Sequence, residues 1–120
     1  MATKTKSIDT QCADTIRALS IAMVEQAKSG HPGGPMGGAD FMHVLYSDFL
    51  RFDPDNPEWR WRDRFFLDPG HLSAMLYAQL HLVGFYQASE IEQFRQWESP
   101  TPGHPEVDRP RVVETTSGPL

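Results

Sequence analysis

The sequence predicts an α/β fold and supplies only its opening, the helix-rich part of a parallel-sheet domain whose sheet is left incomplete. Apolar residues recur at helical spacing in several stretches. One apolar run of strand length, Phe65-Phe66-Leu67, lies between two of those stretches. Glycine and proline crowd the connections. A buried strand with helices before and after it points to parallel pairing, because parallel strands need helical crossovers.

Ile8, Cys12, Ile16, Leu19 and Met23 fall on one helical face, with Ser7 placed to cap the start and Gly30 to end the run. His31 to Gly38 holds six Gly or Pro in eight residues, which predicts a loop. Phe41, Met42, Val44, Leu45, Phe49 and Leu50 give a second helix with a wide apolar face, and Asp40 sits near its expected beginning, where the helix dipole favours an anion. Prolines from Asp53 to Pro57 force a turn-rich connector to the predicted strand at Phe65–Leu67. From Gly70, the residues Leu72, Met75, Leu76, Leu80 and Val83 predict a helix buried nearly all round and stopped by Gly84. Ser89 is placed to cap a short helix through Phe94, and Ser99 to Val113 reads as loop.

At 120 residues one domain, 1–120, is expected, large enough to bury roughly two thirds of its unfolded surface. A net charge of -5 argues against a nucleic acid held by bulk electrostatics, so a bound phosphate has to be met locally. Cys12 is the single cysteine and the N-terminus has no apolar stretch after its lysines, which together suggest a cytoplasmic protein. No apolar run approaches the roughly 20 residues that span a bilayer, so no membrane anchor is expected.

His31, His71 and His104 each follow a glycine, and two of them precede a proline, which places all three on loops at element ends where side chains can converge on a ligand. Each alone is as well read as a surface imidazole. Together they suit donation to phosphate oxygens and proton exchange with a carbonyl or hydroxyl oxygen, both at home in sugar chemistry. His43 and His81 lie within helices and read as structural histidines with satisfied partners. The glycines around His31 permit close approach of a ligand or close helix packing, but match neither a P-loop nor a dinucleotide fingerprint. Three histidines with Glu106 as base would also serve a zinc hydrolase, yet no two ligands are paired a few residues apart on one element. Trp59-Arg-Trp-Arg-Asp-Arg64 has the mix of a nucleic-acid contact but is short and carries Asp63, so a solvated turn is the better reading.

The segments Ser29-Gly-His-Pro-Gly-Gly-Pro-Met-Gly-Gly-Ala-Asp40, Phe52-Asp-Pro-Asp-Asn-Pro-Glu-Trp59, Arg62-Asp-Arg-Phe65, Pro69-Gly-His71, Thr101-Pro-Gly-His-Pro-Glu106 and Glu114-Thr-Thr-Ser-Gly-Pro-Leu120 occur in one order. Taken together they resemble the N-terminal part of transketolase, in its thiamine-diphosphate (pyrophosphate-binding) domain, over nearly the whole chain. The resemblance implies transfer of a two-carbon ketol unit from a ketose phosphate such as xylulose 5-phosphate to an aldose phosphate such as ribose 5-phosphate, in the pentose phosphate pathway. It implies thiamine diphosphate and Mg2+ as cofactors, sugar phosphates as substrates, and a homodimer or a partner subunit sharing the site. By the same resemblance His31 meets the acceptor carbonyl, His104 orients the donor hydroxyl, His71 bonds the cofactor diphosphate, and Gly118, Pro119 and Leu120 lie against the thiamine rings through their backbone.

The chain departs from the family's pattern at Asp68 and Pro69 before Gly-His, at Leu72 after it, and at Val112, where a glycine is usual. Pro69 removes a backbone donor, Leu72 adds bulk and Val112 restricts a loop. The family's metal-holding Gly-Asp-Gly segment and its activating glutamate have no counterpart here, so the metal ligands are expected outside these residues. A non-catalytic subunit or assembly module needing a partner chain is the alternative reading. On either reading residues 1–120 alone are expected to be inactive, and ketol transfer by that segment without a partner chain would overturn the expectation.

Overall fold

The structure, a computed structural model, describes residues 6–118. The first helix, α1 (Ile8–Ala27), starts as predicted: the Thr10 amide donates to Ser7 Oγ at 3.2 Å. It ends two residues before its expected stop, because Lys28 already takes the left-handed conformation, φ 51°, that closes the last turn. Ile16 and Met23 carry the buried face, whereas Ile8 is exposed.

The second helix, α2 (Gly33–Val44), corrects the predicted loop. Pro35 is its third residue, a first-turn position where a missing N–H breaks no intrahelical bond. The low helix propensity of the four glycines is outweighed by close packing, since a Cβ at Gly38 would lie 2.8 Å from Met75 Sδ. Asp40 therefore sits inside the helix rather than at its start, where it pairs with Arg17 of α1. Arg17 Nε also donates to Met36 O at 3.0 Å, so one guanidinium ties the two helices together. A single π turn, Leu45–Phe49, closes α2.

A turn-rich connector follows, and the predicted strand is not formed among the described residues. Phe65 is half-buried, Phe66 exposed and Leu67 buried, a strand-like alternation, but no neighbouring segment pairs with it. A strand needs a hydrogen-bonded partner. Among the described residues there is no sheet, only an isolated antiparallel bridge between Asp108 and Val113. The architecture in hand is helical, and the parallel sheet expected from the sequence is not part of it.

After one 3-10 turn at Gly70–Leu72 comes α3 (Ser73–Leu82), buried at every position from Ser73 to Leu80 as its apolar pattern predicts. It packs on α1 and α2. Its aromatic Tyr77 stands edge-on to Tyr86 and Phe94, with ring centroids 5.5 and 6.1 Å away. A second aromatic group forms where Tyr46 meets Phe52 and Phe65. Burial pushes the Tyr46, Tyr77 and Tyr86 phenols far above their ordinary range, which keeps all three neutral. The short helix α4 (Ala88–Ile91) is capped two residues earlier than predicted and ends before Phe94: Gln87, not Ser89, stands at its cap, and its backbone N–H donates to Glu90 Oε2 at 2.8 Å. The rest is loop apart from a 3-10 turn at Arg109–Arg111.

One ion pair lies inside this loop region. Arg62 Nε and Nη2 donate to the two Glu114 oxygens at 2.8 and 3.0 Å, and Nη1 donates to Trp59 O at 3.1 Å. Both side chains are nearly sealed from water, at 6% and 4% exposure. Arg62→Ala would strand the Glu114 carboxylate and should cost about 3–5 kcal/mol of stability. The urea midpoint reads this loss, and Arg62→Met combined with Glu114→Leu should recover most of it; an Arg62→Ala protein as stable as the parent would refute the account.

Candidate functional site

The three loop histidines are held by elements that converge on the N-terminal end of α3. His31 immediately precedes α2, and its ring centroid is 4.8 Å from that of His71, with the planes tilted by 59°. Gly34 in the first turn of α2 permits this approach, because Leu72, next to His71, packs into the space its absent side chain leaves. The bulk of Leu72 is thus turned onto α2. Pro69 follows Asp68 through a cis peptide bond.

His104 is brought to the same end by two polar side chains of α3. Ser73 Oγ donates to Gly103 O at 2.6 Å, and Tyr77 OH donates to Pro102 O at 2.7 Å. Both donors come from the buried stretch Ser73–Leu80 of α3, so the loop Thr101–Pro105 is fixed to the core. Thr101 is itself fully buried, its Oγ1 donating to Glu90 O at 2.9 Å.

The third wall is the stretch Thr115–Gly118. A Cβ at Gly70 would stand 2.7 Å from Ser117 O, and one at Gly118 would stand 2.5 Å from His104 Cδ2. Gly118 also has φ 111°, which only glycine adopts readily. The bare backbone at positions 70 and 118 is what lets His71, His104 and this stretch meet. Pro119 and Leu120, expected beside Gly118, lie outside the described residues. Among the described residues Ser117 Oγ, itself buried, has no hydrogen-bond partner. Such an orphan next to a glycine-lined surface is what a bound polar ligand would satisfy.

The arrangement offers two adjacent imidazoles on one side, a third on another, and the Ser117–Gly118 backbone beside them. Imidazoles of this kind can donate to phosphate oxygens and carry protons. Among the described residues no three His, Cys, Asp or Glu side chains gather as a metal centre, and the histidines are not joined by Glu106. His43 and His81 are structural, as expected: His43 Nε2 is 3.0 Å from Asp9 Oδ1, and His81 Nδ1 is 2.8 Å from Tyr86 O. The basic-aromatic stretch is a turn in which Arg60 covers the Trp61 ring and Arg62 is consumed by Glu114. No described helix is long and apolar enough to cross a membrane.

Ser73, Tyr77, Ser117 and the Arg62–Glu114 pair were not singled out as site residues by the sequence. Ser73 and Tyr77 lie four apart, one helical turn, so a polar seam on an otherwise apolar helix was the available signal. The ion pair joins residues 52 apart, a distance no local pattern records.

Residues 8–120 match the family described as transketolase, thiamine diphosphate binding domain. The chain is 54% identical to transketolase 1 of Escherichia coli over 111 residues, covering 92% of this chain and 17% of that protein. It superimposes on a transketolase of Leishmania mexicana with a TM-score of 0.89 at 40% identity, covering 97% of this chain and 18% of that one. A Pichia stipitis transketolase mutant, solved in complex with xylulose 5-phosphate, gives 0.84 at 39% identity, over 96% of this chain and 17% of that one. The chain thus spans about a sixth of the length of the relatives it matches.

The backbone contacts yield a direct test. Gly70→Ala should push Ser117 away, break the bond from Ser117 N to Pro105 O (3.0 Å) and accelerate hydrogen exchange at the Ser117 amide. Gly33→Ala, where nothing lies within 4 Å of the added carbon, should leave that amide unchanged. Equal exchange in the two variants would contradict the packing described.

Proposed function

The chain belongs to the transketolase family, as part of its thiamine diphosphate binding domain, and from that premise we propose that it forms one wall of a ketol-transfer site. The reaction is transfer of a two-carbon ketol unit from xylulose 5-phosphate to an aldose phosphate such as ribose 5-phosphate. The observation that carries the reading is the convergence of His31, His71, His104 and the Ser117–Gly118 backbone at the N-terminal end of α3. The xylulose 5-phosphate held by the Pichia stipitis relative supports the substrate class.

The residues present fit the cofactor. Gly70 and Gly118 let the Ser117–Gly118 backbone lie against His104 and beside His71, and the Ser117 hydroxyl, buried without a partner among the described residues, offers a polar contact. In this reading His71 donates to the diphosphate, and Gly118, Pro119 and Leu120 lie against the thiamine rings. Thiamine diphosphate, when bound, would supply the electron sink that stabilises negative charge on carbon. The protein's own part is positional and electrostatic. His104 orients the donor hydroxyl at the reacting carbon, and His31 donates a ring proton as the acceptor carbonyl oxygen gains charge. Mg2+ accompanies the diphosphate, with ligands outside these residues, and a second subunit completes the pocket. The cytoplasm is the proposed location.

His71→Ala in the full-length protein should weaken thiamine diphosphate binding by about tenfold or more, the loss expected for one hydrogen bond to a charged group. His31→Ala should leave that affinity near the parent's and lower kcat/KM for the aldose phosphate. Titration by fluorescence quenching and a coupled ketol-transfer assay separate the two effects. Unchanged affinity in His71→Ala would remove the diphosphate role, and a full-length protein that binds the cofactor without ketol transfer would favour the non-catalytic subunit.

A further inference from the structure

The arms that carry His104 and Gly118 are two sides of one hairpin-like loop. Ser117 N donates to Pro105 O at 3.0 Å, Val107 N donates to Thr116 Oγ1 at 3.2 Å, and Asp108 and Val113 exchange both backbone hydrogen bonds at 2.9 Å. The turn that joins the arms is the 3-10 segment Arg109–Arg111 followed by Val112. A slip of one residue in that turn would slide Gly118 past His104, because the register of two paired arms is set where they are joined.

Val112 makes this turn difficult. It sits at φ 62° and ψ 28°, the left-handed region that a β-branched side chain strongly disfavours, and its side chain is buried. Its neighbour Arg111 is fastened three ways. Nη1 donates to Asp108 Oδ2 at 2.8 Å, Nη2 donates to Glu90 Oε1 at 2.5 Å, and the guanidinium lies 5.3 Å from the Tyr86 ring centroid. Glu90 is anchored in turn, its other oxygen accepting from the Gln87 amide at the start of α4. Burial works against the Glu90 charge, but the Gln87 amide and Arg111 outweigh it and hold the carboxyl below its ordinary range.

We propose that Arg111 is a positioning residue for the site: its clamp on Asp108 and Glu90 holds Val112 in the left-handed turn and so fixes the register of the His104 arm against the Gly118 arm. The role toward ligand rests on the cofactor reading given above. The coupling follows from the residue types. A glycine at 112 would take the same turn unaided, whereas valine adopts it only where surrounding contacts over-determine the backbone. Arg111 supplies those contacts from both sides, to the opposite arm through Asp108 and to the helical layer through Glu90. Removing the side chain therefore frees the turn, and removing the strain at 112 makes the clamp dispensable.

The test is a four-member cycle in the full-length protein: parent, Arg111→Ala, Val112→Gly and the double variant. Arg111→Ala should speed exchange of the Ser117 amide by about tenfold and weaken thiamine diphosphate binding by a similar factor, with the amides of α3 unaffected. The double variant should return both quantities to within about twofold of the parent, a coupling that a merely structural arginine would not produce. If Arg111→Ala does not fold, Arg111→Lys keeps the charge without the planar fork and should give intermediate exchange. Parent-like exchange and affinity in Arg111→Ala would overturn the proposal, as would failure of Val112→Gly to recover them. A parent protein that does not bind thiamine diphosphate would overturn the cofactor reading alone, with Ser117 exchange still deciding the role of Arg111.

Discussion

The burial of α3 along its whole stretch from Ser73 to Leu80 is the constraint on which the rest depends. Its stretch Ser73–Leu80 has no solvent face, and there the Ser73 and Tyr77 hydroxyls find partners by donating to the carbonyls of Gly103 and Pro102. Those bonds fasten an otherwise irregular loop to the most rigid part of the molecule. His104 therefore rides on a loop but is placed with the precision of a helix. The same helix receives α1 and α2 on its flanks, so the position of His31 at the head of α2 is also referred to it.

Close approach at the site depends on what is absent from the chain. Gly34 and Gly38 let α2 lie against Leu72 and Met75, and Gly70 and Gly118 let three loops meet through bare backbone. Within α2 these glycines work against local helix preference, since each loses more conformational freedom on folding than any other residue would. The packing they permit outweighs that loss for α2, which forms despite four glycines and a proline in its first half. Local propensity and tertiary contact point in opposite directions there, and tertiary contact prevails.

This conflict marks the boundary of what can be read from the sequence. The histidines, the capped start of α1 and the buried α3 are visible because each rests on a local pattern: a repeated Gly-His step, a serine before an apolar stripe, an apolar run with no polar face. The helical start of α2 is not visible, because its cause is the shape of Leu72 and Met75 more than thirty residues away. Phe65–Leu67 forms no strand among the described residues for a complementary reason. Its composition suits a strand, but strand formation is decided by a neighbour, and none of the described residues provides one. The Arg62–Glu114 pair is likewise hidden, since an arginine in a basic turn looks solvated until its partner is placed.

Leu72 and Val112, the positions expected to depart from the family's pattern, show how close packing accommodates a bulky and a strained residue. Leu72 adds bulk, yet the space beside Gly34 receives it, so the added volume is absorbed between α3 and α2. Val112 takes the left-handed turn that a glycine would take, so the path of the chain is kept at the expense of strain. Strain of this kind, of order 1–3 kcal/mol, persists only where stronger contacts surround it. Buried Val113 on one side and the bonded Arg111 on the other meet that condition. Substitution in such a site is limited less by the chemistry of the new side chain than by whether neighbouring contacts still hold Gly118 against His104, and the arms between residues 105 and 117 are where that limit is set.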